Sequence, residues 1–166
     1  GEYTVFVVGK ITDSLTVNQS FVGSDFGTNN GSAYDRLAQP LRYHAANNSF
    51  RSISLTTPLA ANTAETSTQT QNTYYTLSVV RGGSDIKIWL DGTVQDTSVI
   101  SGTDQTLSNP ITVGVDRLSE TYPQNPILDS NWLHGDIAEI IIYSAALSDS
   151  DRQTIETYLQ NKYATW

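Results

Sequence analysis

The residues Ile137-Ala138-Glu139-Ile140-Ile141-Ile142-Tyr143 form a short apolar run rich in β-branched side chains, opened by Asp136. A run of this length reads as a strand covered on both faces rather than as a helix. Just beyond it, Ser148 stands before Asp149 and Asp151. A serine hydroxyl can accept an orphan N–H at a helix start, and acids in the first turn meet the positive end of the helix dipole. Ile155, Tyr158, Leu159, Lys162 and Tyr163 then recur at helical spacing, which lays an apolar stripe on a sheet. Trp166 continues that spacing and is expected to pack.

Other strands are legible upstream of this strand-to-helix junction. Asp85 to Leu90 alternates, with Ile86, Ile88 and Leu90 on one face and Lys87 and Trp89 on the other. Asp91-Gly92 after it is a hairpin turn signal. Tyr74 to Arg81 precedes it, with Tyr75, Leu77 and Val79 on one face. Further strands are read at Tyr3 to Val8, Phe21 to Gly23, Leu41 to Ala45, Phe50 to Leu55, Gly92 to Ile100 and Pro110 to Val115. Asn47-Asn48 turns one hairpin, whose second strand puts Phe50, Ser52 and Ser54 on one face and Arg51, Ile53 and Leu55 on the other. Residues 60–72 are polar and threonine-rich and read as a surface loop; residues 118–133 read as a long loop with two prolines. Many short strands and one terminal helix predict an all-β fold, an antiparallel two-sheet β-sandwich with a C-terminal α-helix.

The length of 166 residues suits one domain, residues 1–166. There is no cysteine, which excludes a disulfide framework, a thiolate metal site and a cysteine nucleophile. There is no methionine either, so the chain is expected to be a domain cut from a longer precursor. Nine basic residues stand against 17 acidic ones, a net charge of -8. Duplex nucleic acid and anionic membrane both ask for a basic face, so neither is an expected partner. The polarity comes mainly from Ser, Thr, Asn and Gln, and a secreted or cell-surface location is expected.

Three stretches in order carry a resemblance. They are Tyr74 to Arg81 with Ile86 to Gly92; Ile111-Thr112-Val113-Gly114-Val115; and His134 to Tyr143 running into Ala146-Leu147-Ser148-Asp149, Arg152, Ile155, Glu156, Tyr158, Leu159 and Lys162. Together they resemble the laminin-G-like domains of the concanavalin A-like lectin and glucanase superfamily, in the bacterial form whose last strand runs into a closing helix. The resemblance implies a jelly roll with a concave face. It also implies a mostly non-catalytic module that often binds glycans and sometimes holds a structural calcium. Such domains usually carry a strand before the segment matching Thr4 to Val8; here that segment comes first, which leaves a pairing edge open near the first strand or reflects a trimmed boundary.

Catalytic chemistry finds no support in the motifs. Glycoside hydrolysis needs two carboxyls about 5–9.5 Å apart, and no strand shows the Glu-x-Asp spacing of the superfamily's enzymes. Asp136 and Glu139, three apart, are expected on opposite faces of one strand. Glu139 is expected to be structural, satisfied by donors or a cation. His44 and His134 lack a metal-ligand spacing, and no nucleophile elbow or phosphate loop occurs.

A sugar site needs exposed aromatic platforms beside polar groups. Trp132 lies in a loop beside Asn131 and His134, with Tyr122 in the same loop. Loops on rigid scaffolds carry function, so Trp132, Tyr122 and His134 are candidates. Trp89 is a platform if its face is the concave one, and otherwise packs under a loop or the terminal helix. Arg42 and His44 form a polar pair on one face of their strand. The expected function is a non-catalytic carbohydrate-binding module for a neutral β-linked polysaccharide, tethered to catalytic or surface-protein domains and monomeric. The alternative is a structural or adhesive module of a large surface protein; a hydrolase or lyase comes last. No cofactor is required, and a structural calcium is possible.

Overall fold

The computed structural model describes residues 1–12, 17–24, 39–57, 60–104, 111–118 and 128–166. The first sheet has five strands: β1 (Tyr3–Ile11), β6 (Tyr75–Arg81), β7 (Asp85–Leu90), β8 (Thr93–Val99) and β13 (Gly135–Tyr143), in the order β13-β1-β6-β7-β8. The second has β2 (Gln19–Ser24), β3 (Gln39–His44), β4 (Ser49–Thr57), β5 (Ala60–Glu65) and β10 (Ile111–Val113), in the order β10-β2-β3-β4-β5, with β9 (Thr103–Asp104) pairing β4. Strands β11 (Asp116–Leu118) and β12 (Leu128–Ser130) pair with each other, and α1 (Asp149–Tyr163) closes the chain. Every strand pairing among the described residues is antiparallel. The fold is the expected β-sandwich with one C-terminal helix.

Alternation in the strands builds two cores. Tyr3, Val5, Val7, Leu77, Val79, Ile86 and Ile88 face inward and meet Phe21, Leu41, Tyr43 and Phe50 of the second sheet. The opposite face of β1 carries Phe6 and Val8, which pack with Leu159, Ile141, Tyr143, Ile155 and Tyr163 under α1. Strand β1 is thus covered on both faces, by the second sheet and by α1, and is buried along nearly its whole length. Asp91 and Gly92 both take positive φ, 48° and 73°, the requirement of the tight turn read from Asp-Gly. Helix α1 starts as expected: Ser148 Oγ accepts from Asp151 N at 3.2 Å.

Three expectations need correction. Part of the stretch 60–72 is strand β5, paired with β4 from Arg51–Glu65 to Thr56–Ala60. Its inward positions are Asn62 and Ala64, too small and polar to show as apolar alternation, and Asn62 Oδ1 accepts from Ser101 N at 3.1 Å. The stretch 118–133 likewise contains β12, paired with β11. The first strand has no open edge, since β13 and β6 flank β1 on either side.

Candidate functional site: the outward row of residues 132–139

Residues 131–134 lead into β13 and are pinned to both sheets. Asn131 O accepts from Ser20 N at 2.9 Å, Leu133 N donates to Gly114 O at 2.9 Å, and His134 O accepts from Thr12 N at 2.9 Å. His134 N donates to Gln19 Oε1 at 2.7 Å. Leu133 and Ile137 pack toward the inter-sheet core. Trp132, His134 and Asp136 therefore take the alternate, exposed positions. Trp132 is 53% exposed, a large indole held out between the backbone hydrogen bonds of Asn131, Leu133 and His134.

Next along the row, Asp136 joins two neighbours. Lys10 Nζ lies 3.0 Å from its Oδ2, and Tyr74 OH donates to the same oxygen at 3.1 Å. Lys10 Nζ also sits 4.8 Å from the centre of the Tyr74 ring. Lys10 and Tyr74 hold the Asp136 carboxyl below the ordinary range, and Asp136 raises the Lys10 ammonium in return.

Glu139 follows on the same side. A bulge between Val8 and Gly9 of β1 sets Val8 opposite Glu139 and Gly9 opposite Ile137, leaving Ala138 as the extra residue. Asp136 and Glu139 were expected on opposite faces; the bulge turns them to the same one. Glu139 meets α1, where Lys162 Nζ is 3.1 Å from Oε2 and Tyr158 OH is 3.2 Å from Oε1. Burial pushes its carboxyl upward, but Lys162, Tyr163 and Tyr158 outweigh that and leave it lowered.

Solved structures share this architecture. The receptor binding domain of botulinum neurotoxin mosaic serotype C/D is similar over 95% of this chain and 36% of its own, at 16% identity and a TM-score of 0.63. That of botulinum neurotoxin D gives 95%, 37%, 12% and 0.63. Trypanosoma rangeli sialidase is similar over 98% of this chain and 23% of its own, at 17% identity and a TM-score of 0.61. The chain is a β-sandwich of the kind found in those larger proteins. It spans about a quarter to a third of their length. No family model and no curated protein matches the sequence.

The other sequence candidates fall elsewhere on the sandwich. Trp89 is not an open platform: it is 6% exposed beneath α1, with the Arg152 guanidinium carbon 4.2 Å from its ring centre. Its face is the one the helix covers, which is why a residue opposite the inter-sheet core is still buried. Arg42 and His44 do share a face, as expected, but it is the outer face of the second sheet, and Arg42 is buried at 8% exposure. His44 Nδ1 pairs with Glu65 Oε1 at 2.9 Å. Tyr122 lies outside the described residues.

Glu65 is a hub on that outer face. Asn47 Nδ2 donates to its Oε1 at 3.0 Å, Ser49 Oγ also donates to Oε1, and Arg51 Nη2 reaches its Oε2 at 2.7 Å. Partial burial pushes the carboxyl upward, but Ser49, Arg51, His44 and Asn47 together hold it at about 2. Arg42 and Arg51 stand opposite each other across β3 and β4. Folding does gather these two cations, but Arg51 and His44 are engaged by Glu65, so the cluster fastens the β3–β4 hairpin to β5.

Sequence reasoning passed over Tyr74 and Tyr158. A signal for the first was present: Tyr74 and Tyr75 are adjacent in an extended segment, so when Tyr75 faces the core Tyr74 cannot. Tyr158 was assigned to the packed stripe of α1 but is 44% exposed, while Arg152 and Glu156 are buried instead. Trp166, also expected to pack, is 40% exposed. Among the described residues no group of three or more His, Asp or Glu is gathered to hold a metal ion.

Proposed function

We propose that this chain is a non-catalytic, laminin-G-like carbohydrate-binding module that holds a neutral β-linked polysaccharide against Trp132. The observation that carries this reading is the 53% exposure of Trp132 on a segment pinned to both sheets. An exposed indole costs the free chain apolar hydration, and a rigid one loses little entropy when a flat sugar face covers it. A receptor binding domain among the similar structures fits a recognition role. Asp136 and Glu139 share a face, but lysines hold both in the ionised form, whereas a general acid needs a raised pKa. In a secreted or surface-attached parent chain, such a module raises the local concentration of a tethered domain on its polysaccharide.

The test is binding to soluble and insoluble xylans, mixed-linkage β-glucans and galactans, in calcium and then in chelator, with reducing-sugar release followed in parallel. The expected result is binding to at least one neutral polysaccharide, weakened tenfold or more in Trp132→Ala at an unchanged thermal midpoint, with no sugar released. Failure of every polysaccharide to bind would overturn the reading. A second reading, a protein-contact module, is favoured by Ile111 and Val113, which expose 51% and 56% of their surface on strand β10 at the end of the second sheet.

A further inference from the structure

The same three-part arrangement occurs twice along β13. In the first, Tyr74 donates to Asp136 at 3.1 Å, Lys10 pairs with Asp136 at 3.0 Å, and the lysine lies 4.8 Å from the tyrosine ring centre. In the second, Tyr158 donates to Glu139 at 3.2 Å, Lys162 pairs with Glu139 at 3.1 Å, and the lysine lies 5.3 Å from the tyrosine ring centre. The partners come from unrelated places: Lys10 from β1 and Tyr74 from the residue just before β6, Lys162 and Tyr158 from α1. Only the bulge at Ala138 brings both carboxylates to one side. The two tyrosines remain 38% and 44% exposed.

At about 3.3 Å per strand residue, Trp132 and Asp136 lie at most about 13 Å apart, and Asp136 and Glu139 about 10 Å. Three aromatic stations therefore follow one another along a single row. We infer that Trp132, Tyr74 with Asp136, and Tyr158 with Glu139 form one elongated track for several consecutive rings of an uncharged polysaccharide chain, which rests on the reading of Trp132 as a sugar platform.

The chemistry of the track selects the ligand class. Asp136 uses Oδ2 for both of its contacts, and its Oδ1 accepts no hydrogen bond among the described residues. Its side chain is 52% exposed. This is an acceptor fixed in place by a lysine and a tyrosine, ready for a sugar hydroxyl at little ordering cost. Each lysine of the row is already neutralised by its own carboxylate. A hydroxyl donor gains from such a surface, while a uronate or sulfate would meet the carboxylates with no uncommitted ammonium to offset them. The cations stacked on the tyrosines fix the rings as platforms.

The experiment is titration of the whole chain with xylo-, cello- and galacto-oligosaccharides from disaccharide to hexasaccharide. It compares wild type with Trp132→Ala, Tyr74→Ala, Asp136→Asn and Tyr158→Ala, with thermal midpoints as the folding control and Tyr74→Phe and Tyr158→Phe as variants that keep the rings. The expected result is affinity that rises with chain length. Tyr158→Ala should remove the gain of the longer chains by tenfold or more and leave the shortest binding chain unchanged. Asp136→Asn should weaken every chain that reaches the middle station. If Trp132→Ala abolishes binding while Tyr74→Ala and Tyr158→Ala leave affinity unchanged at every length, the track is wrong and the single platform stands. If wild type binds no oligosaccharide and none of the parent polysaccharides, both readings fall.

Discussion

Glu139 faces the same side of β13 as Asp136, although three positions separate them. The cause is Ala138, which has no partner across the ladder while Val8 faces Glu139 and Gly9 faces Ile137. In a regular ladder that paired Ala138 as well, period two would turn one of the two acids into the inter-sheet core.

Deleting Ala138 tests this relationship. The deletion leaves Ile137 next to Glu139, opposite Gly9 and Val8, so the ladder closes regularly with Ile137 still inward and Asp136 and Glu139 still outward. We expect a change of no more than about 1 kcal/mol, since no side chain changes face. Ala138→Ser changes only an exposed side chain and should stay within about 0.5 kcal/mol of wild type. Urea unfolding of both variants is the measurement; a loss of about 3 kcal/mol or more on deletion would show that Ala138 is a member of the ladder rather than an extra residue in it.

Gly135 provides a second check on the same junction. A Cβ built there would fall on the Lys10 carbonyl, a backbone atom that cannot move aside. Gly135→Ala should therefore cost about 1–3 kcal/mol through forced separation of β1 and β13. Because the Lys10–Asp136 pair spans those strands, the variant should also disturb the environment of Tyr74, observable as a shift of its ring resonances. A wild-type melting curve for Gly135→Ala would argue against the close approach.

Trp89 separates structural from binding effects. It lies beneath Arg152 and is 6% exposed, so truncation opens a cavity between α1 and the first sheet. Trp89→Ala should cost about 3–5 kcal/mol. Trp89→Phe, which keeps much of the volume and the cation–π contact, should cost less and bind polysaccharide as wild type does. Binding lost in a stably folded Trp89→Phe would return this residue to the site.

These cases mark where sequence patterns carry and where they stop. The alternation of Ile86, Ile88 and Leu90 told which way Trp89 points, because period two is a property of one strand. It left open what covers that face, because the placement of α1 is a tertiary matter. Strand β5 was hidden since Asn62 and Ala64 offer no hydrophobic contrast, although Asn62 is buried by hydrogen bonds to Ser54 O, Thr56 Oγ1 and Ser101 N. The bulge was invisible because an extra residue exists only relative to its partner strand. Trp132 and His134 were legible as neighbours in sequence. Their continuation through Tyr74 and Tyr158 needed β6 and α1 to be brought beside β13.

The Glu65 hub sets an acid limit on stability. Its carboxyl titrates at about 2 in the folded chain against an ordinary value of 4.5. A carboxyl depressed by folding contributes its full stabilisation above the unfolded value and loses it as the pH falls through the folded value. Stability should therefore decline between about pH 4.5 and pH 2. Glu65→Gln should be less stable by about 2 kcal/mol at pH 7, with Arg51 and His44 left without their carboxylate. The same variant should show a flatter pH dependence in that acid window. A difference from wild type that persists unchanged down to pH 2 would mean that Glu65 acts by packing rather than by charge.

Arg152 and Glu156 pose the opposite problem, a charge pair placed deep under the helix. Both side chains are 5% exposed, and they pair with each other one turn apart on α1. Taking two ions out of water is costly, and their attraction repays it only in part, so the pair itself adds little over an apolar replacement. Removing one member is different, because the other is left buried and uncompensated. Arg152→Ala should cost about 3–5 kcal/mol, the loss of contact with Trp89 included. Arg152→Met combined with Glu156→Leu should recover most of that loss. Chemical unfolding of the two singles and the double, read as a double-mutant cycle, measures the coupling. A double variant no more stable than Arg152→Met alone would show that the stacked guanidinium over Trp89, and not the charge balance with Glu156, holds α1 against the sheet.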